Sequence, residues 1–199
     1  ITTYAISFTQ HLGSIIWFMT INSTIISVSV WSLSFFLGFN YIAQAEDQPV
    51  FSKKTVDLGI VVSDLKQAAK FYIEVVGMKE VPGFKVPGKR VAQFGLTDNQ
   101  PVVARRFVLN DGEDSSSLKL MAFPNAPGKQ SSQKFIHSTL GFSYLTLFVN
   151  DMAGAVERAK KAGVKMLGET PSQLGADNYL AVYRDPDGNF IELIGPIKK

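Results

Sequence analysis

Two stretches of this chain, 56–81 and 142–167, repeat one pattern, and the repeat restricts the folds that the chain can adopt. The first reads VDLGIVVSDLKQAAKFYIEVVGMKEV and the second reads FSYLTLFVNDMAGAVERAKKAGVKML. Aligned without gaps, Asp64 meets Asp151 and Val62 meets Val149. The chain therefore contains two copies of one structural unit, and a fold with two similar modules is expected.

Each copy begins with a strand-like run of β-branched and aromatic residues and continues into an amphipathic helix. The N-cap is Ser63 or Asp64 in the first copy and Asn150 or Asp151 in the second, and each of these side chains can accept hydrogen bonds from the free N–H groups of a first helical turn. Gly77 and Gly163, which meet after a slip of one residue, supply the left-handed position that ends such a helix. The pattern predicts a strand followed by a helix in each copy.

The later strands of each copy are marked less sharply. We predict them at 90–96, 102–110 and 118–123 in the first copy, and at 179–184 and 190–194 in the second. Asp187-Gly188 between the last two is typical of a hairpin turn. The prolines and glycines of VPGFKVPGKR (81–90) indicate a rim loop. The predicted fold class is α+β, with two βαβββ modules.

The predicted domains follow from this pattern and from a change in charge along the chain. They are a leader at 1–45, a linker at 46–54, a first module at 55–123, a linker at 124–140 and a second module at 141–199. The inter-module linker opens with the Pro-, Gly- and Ser-rich run PNAPGKQSSQ, which is typical of a loop.

The leader contains no Lys, Arg, Asp or Glu before Glu46. Its apolar run ends in Ala43-Gln44-Ala45, directly ahead of charge, which is how a secretory signal peptide ends. A signal peptide starting at Met19 predicts an exported protein, in the periplasm, a lumen or the medium. The alternative is an uncleaved membrane anchor, because the apolar run is long enough to span a bilayer.

The composition of the chain limits the classes of partner and of site chemistry that are expected. The formal net charge is only +3 and the basic residues are scattered, so no nucleic acid partner is expected. Cysteine is absent, which excludes a disulfide, a thiolate metal site and a cysteine nucleophile.

Two motifs, VVSDLKQAAKFYIEVVGM and YRDPDGNFIELIGP, resemble the helix-entry and final-hairpin motifs of the vicinal oxygen chelate superfamily. That superfamily includes glyoxalase I, bleomycin-resistance proteins and extradiol dioxygenases. The resemblance implies that the two modules pair into an open barrel around one cavity. It also implies that the positions where metal-binding members keep their ligands are Asp57, Lys119, Tyr144 and Glu192.

These four residues form a degenerate metal site, in which Glu192 alone matches the superfamily fully. A protonated ammonium has no lone pair and repels a dication, so Lys119 opposes a metal, and the phenol of Tyr144 is a poor ligand. We therefore expect no cofactor, with a divalent metal as the minority alternative. Lys119 is expected to pair with Asp57 or Glu192, because a buried lone carboxylate is costly.

Strand alternation predicts which other side chains line the cavity. One of the two adjacent arginines, Arg105 or Arg106, should face inward with the apolar lining. The predicted apolar and small lining residues are Gly59, Val61, Met121, Thr146, Phe148 and Ile194.

The sequence predicts metal-independent binding of a small anionic or aromatic molecule in the cavity. One alternative is a glyoxalase-like lyase, isomerase or dioxygenase that uses Glu192 as a catalytic base. Another is a membrane-anchored interaction subunit in which the barrel is only a scaffold. Either a monomer or a homodimer is compatible with the sequence.

Overall fold

The computed structural model describes residues 50–111 and 114–198. The predicted leader, and with it the signal-peptide or anchor interpretation, lies outside these residues. Within the described ranges, no helix has the length and apolar character needed to cross a membrane.

The first module has four strands and two helices. They are β1 (Asp57–Val61), α1 (Leu65–Phe71) continued by a π-helical turn (Tyr72–Val76), β2 (Lys79–Val86), α2 (Gly88–Gln93), β3 (Val102–Val108) and β4 (Ser117–Met121). The strands form one sheet in the order β1-β4-β3-β2. The β1–β4 pair is parallel, and the other two pairs are antiparallel.

The second module repeats this arrangement. Its elements are β5 (Tyr144–Phe148), α3 (Met152–Lys161), β6 (Ser172–Gln173), β7 (Asn178–Arg184) and β8 (Phe190–Pro196). The sheet order is β5-β8-β7-β6, with β5 and β8 parallel. The identical strand order confirms the α+β class and the two βαβββ modules. Residues 122–143, between the modules, contain no helix or strand.

The structure places the helix N-caps at Asp64 and Asp151, one of the two candidates in each copy. The Asp64 side chain accepts from the N–H groups of Lys66 and Gln67, and Asp151 does the same for Gly154. Gly77, at φ 91°, follows the π-helical turn. A π turn holds one residue more than an α-helical turn of the same span, so it accounts for the slip of one residue in the repeat.

Two sequence predictions in the first module are wrong. The predicted strand at 90–96 is not formed, and α2 lies at Gly88–Gln93 instead. The predicted rim loop at 81–90 overlaps β2, which spans Lys79–Val86.

The two errors have different causes, the edge position of β2 and the short length of α2. β2 is an edge strand, where a proline removes no ladder hydrogen bond that the sheet needs. Pro82 and Gly83 lie in a register shift of β2 between Val81 and Phe84, and a Cβ on Gly83 would lie 2.0 Å from the Ala104 carbonyl oxygen. A helix as short as α2 shows too few turns for its period to be told from strand alternation.

One hydrophobic core joins the two modules. Side chains of α1, the π-helical turn and α3 pack on one face of each sheet, and the largest fully buried members include Tyr72, Phe107, Met152, Tyr183 and Ile191. The Tyr72 hydroxyl donates to the buried Asp185 carboxylate at 3.0 Å. Burial, together with the charge of Asp185, raises the pKa of Tyr72, so the phenol stays protonated and the bond persists.

Candidate functional site

The open face of each sheet is defined here as the face turned away from α1 and α3. In the first sheet, Gly59 pairs with Lys119 and Val61 pairs with Met121. The alternate residues Leu58 and Leu118 pack in the core. Paired residues share a face, so these four side-chain positions belong to the open face.

The second sheet has the same register. Thr146 pairs with Glu192 and Phe148 pairs with Ile194 on its open face. Lys119 and Glu192 therefore occupy equivalent places in the two modules, where the segment LKLM (118–121) corresponds to IELI (191–194). The predicted lining residues lie on the open faces of the two sheets, three in each.

Asp57 and Lys119 form the ion pair that the sequence predicted as one of two options. The Lys119 ammonium lies 2.9 Å from the Asp57 carboxylate, and the two side chains are 30% and 50% exposed. The Ser117 hydroxyl also donates to Asp57 at 2.7 Å. The hydrogen bond from Lys119, with that from Ser117, lowers the pKa of Asp57. The carboxylate is therefore ionised at neutral pH and already compensated by a cation.

Register decides which arginine faces the site. Arg106 pairs with Lys119 across β3 and β4, so Arg106 is on the open face and Arg105 is on the other. Arg105 makes two bonds to the Glu80 carboxylate, at 2.7 and 2.6 Å. These bonds raise the pKa of Arg105 and lower that of Glu80. Arg105 is therefore a structural ion-pair residue, and its predicted role in lining the cavity is wrong.

Glu192, the second predicted partner of Lys119, has a different neighbour. Its carboxylate accepts a hydrogen bond from the Thr146 hydroxyl at 2.7 Å. Among the ion pairs of the described residues, none includes Glu192. Tyr144 and Phe148, on the same open face, are 55% and 81% exposed.

The donor set does not fit a divalent cation of the superfamily's usual kind. Of the four carried-over positions, Asp57 is held by an ammonium and Tyr144 offers only a phenol. No group of three His, Asp or Glu side chains suited to a metal occurs in the described part of the chain. Lys119 supplies the positive charge that a dication would otherwise bring to Asp57.

A cavity of about 500 Å³ lies on the open face of the first sheet. Val61 and Met121 belong to its wall, which contains none of the described residues of the second module. Residues that the sequence reasoning missed complete it; they are Leu96, Thr97, Asp98, Gln100, Val102, Phe123 and Ala126. The missed residues of the 96–100 segment follow α2. They were not predicted because 90–96 was assigned to a strand.

Next to this cavity, α2 covers part of the same open face. Val91 of α2 is buried against Val102 and Ala104, with Met121 and Phe123 packed alongside. In the second module the connection that corresponds to α2 is the one between β6 and β7, and its described residues form no helix. A helix therefore covers part of the first open face and has no equivalent on the second.

Two βαβββ modules with equivalent polar positions on their open faces define a paired-module class of α+β protein. Comparison of sequences places this chain within the class: residues 54–193 match the Glyoxalase/Bleomycin resistance protein/Dioxygenase superfamily. The chain belongs to that superfamily. A comparison with curated proteins gives no match.

Solved structures of the same superfamily resemble the fold. A glyoxalase family protein from Bacillus cereus shares 24% identity with a TM-score of 0.62, over 77% of this chain and 99% of that one. The trypanothione-dependent glyoxalase I of Leishmania major shares 21% identity with a TM-score of 0.52, over 72% and 87%. A glyoxylase/bleomycin resistance protein/dioxygenase domain from Frankia sp. EAN1pec shares 20%, with a TM-score of 0.51 over 75% and 95%. At these identities the likeness concerns the fold alone.

Proposed function

We propose that this protein binds a small molecule on the open face of its first module without a metal ion. The observation that carries the proposal is the 2.9 Å ion pair between Lys119 and Asp57. Lys119 stands at a position where metal-binding members of the superfamily supply a ligand. The ammonium there balances the charge of the Asp57 carboxylate, so the site needs no dication to compensate that carboxylate.

The neighbouring cavity supports the same proposal. Its volume of about 500 Å³ lies within the range of about 300–1,000 Å³ common for small-molecule sites. Most of its wall is apolar, and the polar residues Thr97 and Gln100 contribute the few groups that orient a ligand. Sites of this composition hold a ligand by burial of apolar surface and select it through a small number of polar contacts.

Metal independence is tested by metal analysis of the purified protein, followed by ligand screening in the presence of a chelator. We expect less than about 0.1 metal ion per chain, and ligands that raise the melting temperature equally with and without chelator. Stoichiometric zinc, nickel or manganese, or stabilisation by ligands only after metal is added, would refute the proposal.

A matched variant restores the missing ligands. Asp57→His, Lys119→Glu and Tyr144→His, with native Glu192, would present two imidazoles and two carboxylates, a set that suits zinc or nickel. We expect calorimetry to detect one tight site in the triple variant and none in the parent, with affinity falling at low pH as the histidines protonate. A folded triple variant without metal affinity would show that the two pairs of positions do not meet.

We also propose that the protein is exported and works outside the cytoplasm. The uncharged leader and its Ala43-Gln44-Ala45 end support removal by a signal peptidase. Mass spectrometry of the native protein should find Glu46 as the first residue. A chain that retains the leader and resists carbonate extraction from membranes would support the anchor instead.

A further inference from the structure

Among the described residues, the guanidinium of Arg106 is a cation of the first open face for which no paired anion is found. Its Nε is buried and has no hydrogen-bond partner among the described residues, and no carboxylate of these residues forms an ion pair with it. A buried donor without an acceptor is unfavourable, because it has lost its hydrogen bond to water. A ligand that brings an acceptor would remove this penalty.

The charges around Arg106 favour a single negative charge on that ligand. Asp57 and Lys119 neutralise each other through their 2.9 Å ion pair. Arg106 lies close enough to Asp57 to contribute to the lowering of the Asp57 pKa, so the three groups form one cluster. The sum of one carboxylate, one ammonium and one guanidinium is a single positive charge, which a monoanion complements.

The apolar cavity begins one residue pair away from this cluster. Met121 lies in the cavity wall and is two residues along β4 from Lys119, a distance of about 7 Å. The Met121 side chain also reaches back toward the cluster, since a Cβ on Gly59, the partner of Lys119, would lie 3.1 Å from Met121 Cε. One ligand can therefore contact both the cavity and the cluster.

The cavity also sets the direction of that ligand. Asp98 is the charged residue of the cavity wall and lies on the segment that precedes β3. Arg106 lies on β3, four residues beyond Val102 and so about 13 Å from Val102. An anionic group is repelled at the Asp98 end and attracted at the Arg106 end. The apolar body of the ligand then lies against Val61 and Met121, with the anion at Arg106.

From this arrangement we infer that the ligand class is a small apolar monocarboxylate, and that Arg106 binds its carboxylate. The inference rests on the proposed small-molecule function and adds the ligand class and the residue that selects it. A guanidinium binds a carboxylate through two parallel N–H···O bonds, which gives Arg106 a stronger preference for this group than the ammonium of Lys119 has.

The test measures binding of three probes with one apolar body by titration calorimetry on the purified protein. The probes are 2-naphthoate, the neutral 2-naphthamide and 2-naphthyl phosphate. We expect 2-naphthoate to bind at least about tenfold more tightly than the amide, the order of effect that a charge-assisted pair produces. Arg106→Met should abolish this preference, so that the carboxylate and the amide bind with similar affinity, while Arg106→Lys should restore part of it.

Two variants serve as matched controls. Arg105→Met removes the adjacent arginine, which faces the other way and binds Glu80, and it should leave all three affinities unchanged. Leu96→Ser changes an exposed residue of the cavity wall and should weaken all three probes alike, because each loses the same apolar contact.

The possible results separate the two proposals. Equal affinity for carboxylate and amide, unaffected by Arg106→Met, would overturn the role of Arg106 and leave the small-molecule function standing. Tighter binding of the phosphate than of the carboxylate would overturn the monocarboxylate class. Binding of none of the three probes by the parent protein would overturn both proposals.

Discussion

The two modules have the same strand order but differ in the side chains on their open faces. Strand order, parallel pairing and the Asp N-caps are the same in both. On the first open face, however, Lys119 pairs with Asp57 and α2 buries Val91. On the second, Glu192 bonds Thr146 and Phe148 is 81% exposed. Equivalent positions thus carry opposite charges and have different cover, and the first open face bears the cavity of about 500 Å³.

The final turns of the two modules differ as well. In the second module the buried Asp185 accepts from the Tyr72 hydroxyl and from the N–H groups of Asp187 and Asn189. In the first, Asp111 is an exposed partner of Lys79. The second turn therefore holds the modules together, while the first contributes only a surface contact.

The largest expected effect tests this contrast between the turns. Asp185→Ala leaves several buried donors without an acceptor, so it should lower the free energy of unfolding by about 2–4 kcal/mol. Asp111→Ala, in the exposed turn, should change it by less than about 0.5 kcal/mol. Urea denaturation of both variants measures the difference. Similar effects for the two would mean that the turns are equivalent.

The next largest effect on stability is expected from the difference in how the two open faces are covered. Val91→Ala removes buried methyl groups from beneath α2 and should destabilise the protein by about 1–3 kcal/mol. Phe148→Ala removes a larger side chain that is already solvated, and its effect should stay within about 0.5 kcal/mol. Thermal unfolding of each variant provides the comparison. A larger loss for Phe148→Ala would indicate that the second open face is covered in solution.

Replacing two buried tyrosines, one in each module, by phenylalanine should change the free energy of unfolding by different amounts. The Tyr72 hydroxyl donates to Asp185, so Tyr72→Phe should cost about 1–2 kcal/mol. The Tyr183 hydroxyl is buried without a partner among the described residues, and burial raises the pKa of Tyr183 to about 12. Tyr183→Phe removes that unpaired group and should be neutral or slightly stabilising. Chemical denaturation measures both effects. A loss of stability in Tyr183→Phe equal to that in Tyr72→Phe would show that the Tyr183 hydroxyl does have a hydrogen-bond partner.

The ion pair of the first module should be weaker, because both partners are partly exposed. A double-mutant cycle of Lys119→Met with Asp57→Asn should give a coupling of about 0.5–1 kcal/mol. The matched cycle of Lys119→Met with Glu192→Gln should give a coupling near zero, since Glu192 bonds Thr146 instead. Coupling to Glu192 that exceeds coupling to Asp57 would reverse the observed pairing.

The pH dependence of that pair should be the smallest effect. Lys119 and Ser117 hold the pKa of Asp57 below its ordinary value of 3.8. A lowered folded pKa contributes stability above the unfolded value, and this stability is lost as the pH falls through the folded value. The difference in stability between the parent and Lys119→Met should therefore be constant from pH 7 to about pH 5 and shrink below pH 3.8. A difference that grows on acidification would exclude Asp57 as the partner.

Most of the fold could be predicted because its signals are local. The repeat, the Asp caps, the terminating glycines and the hairpin at Asp187-Gly188 each act over a few residues, and each is found in the structure. The part that failed, β2 and α2, depends on non-local facts. A proline is compatible with β2 only because β2 lies at the sheet edge, and α2 forms where Val91 can pack on a sheet.

The sequence by itself determined the two-module fold and the residue types at the four equivalent positions, since composition and periodicity require no tertiary contacts. Alternation also required that one of Arg105 and Arg106 face the site. Only the tertiary structure decided that it is Arg106, because the choice depends on the register of β3 against β4. The tertiary structure also decided that Lys119 pairs with Asp57 and not with Glu192, because β1 and β4 are neighbouring strands although they are about 60 residues apart in the chain.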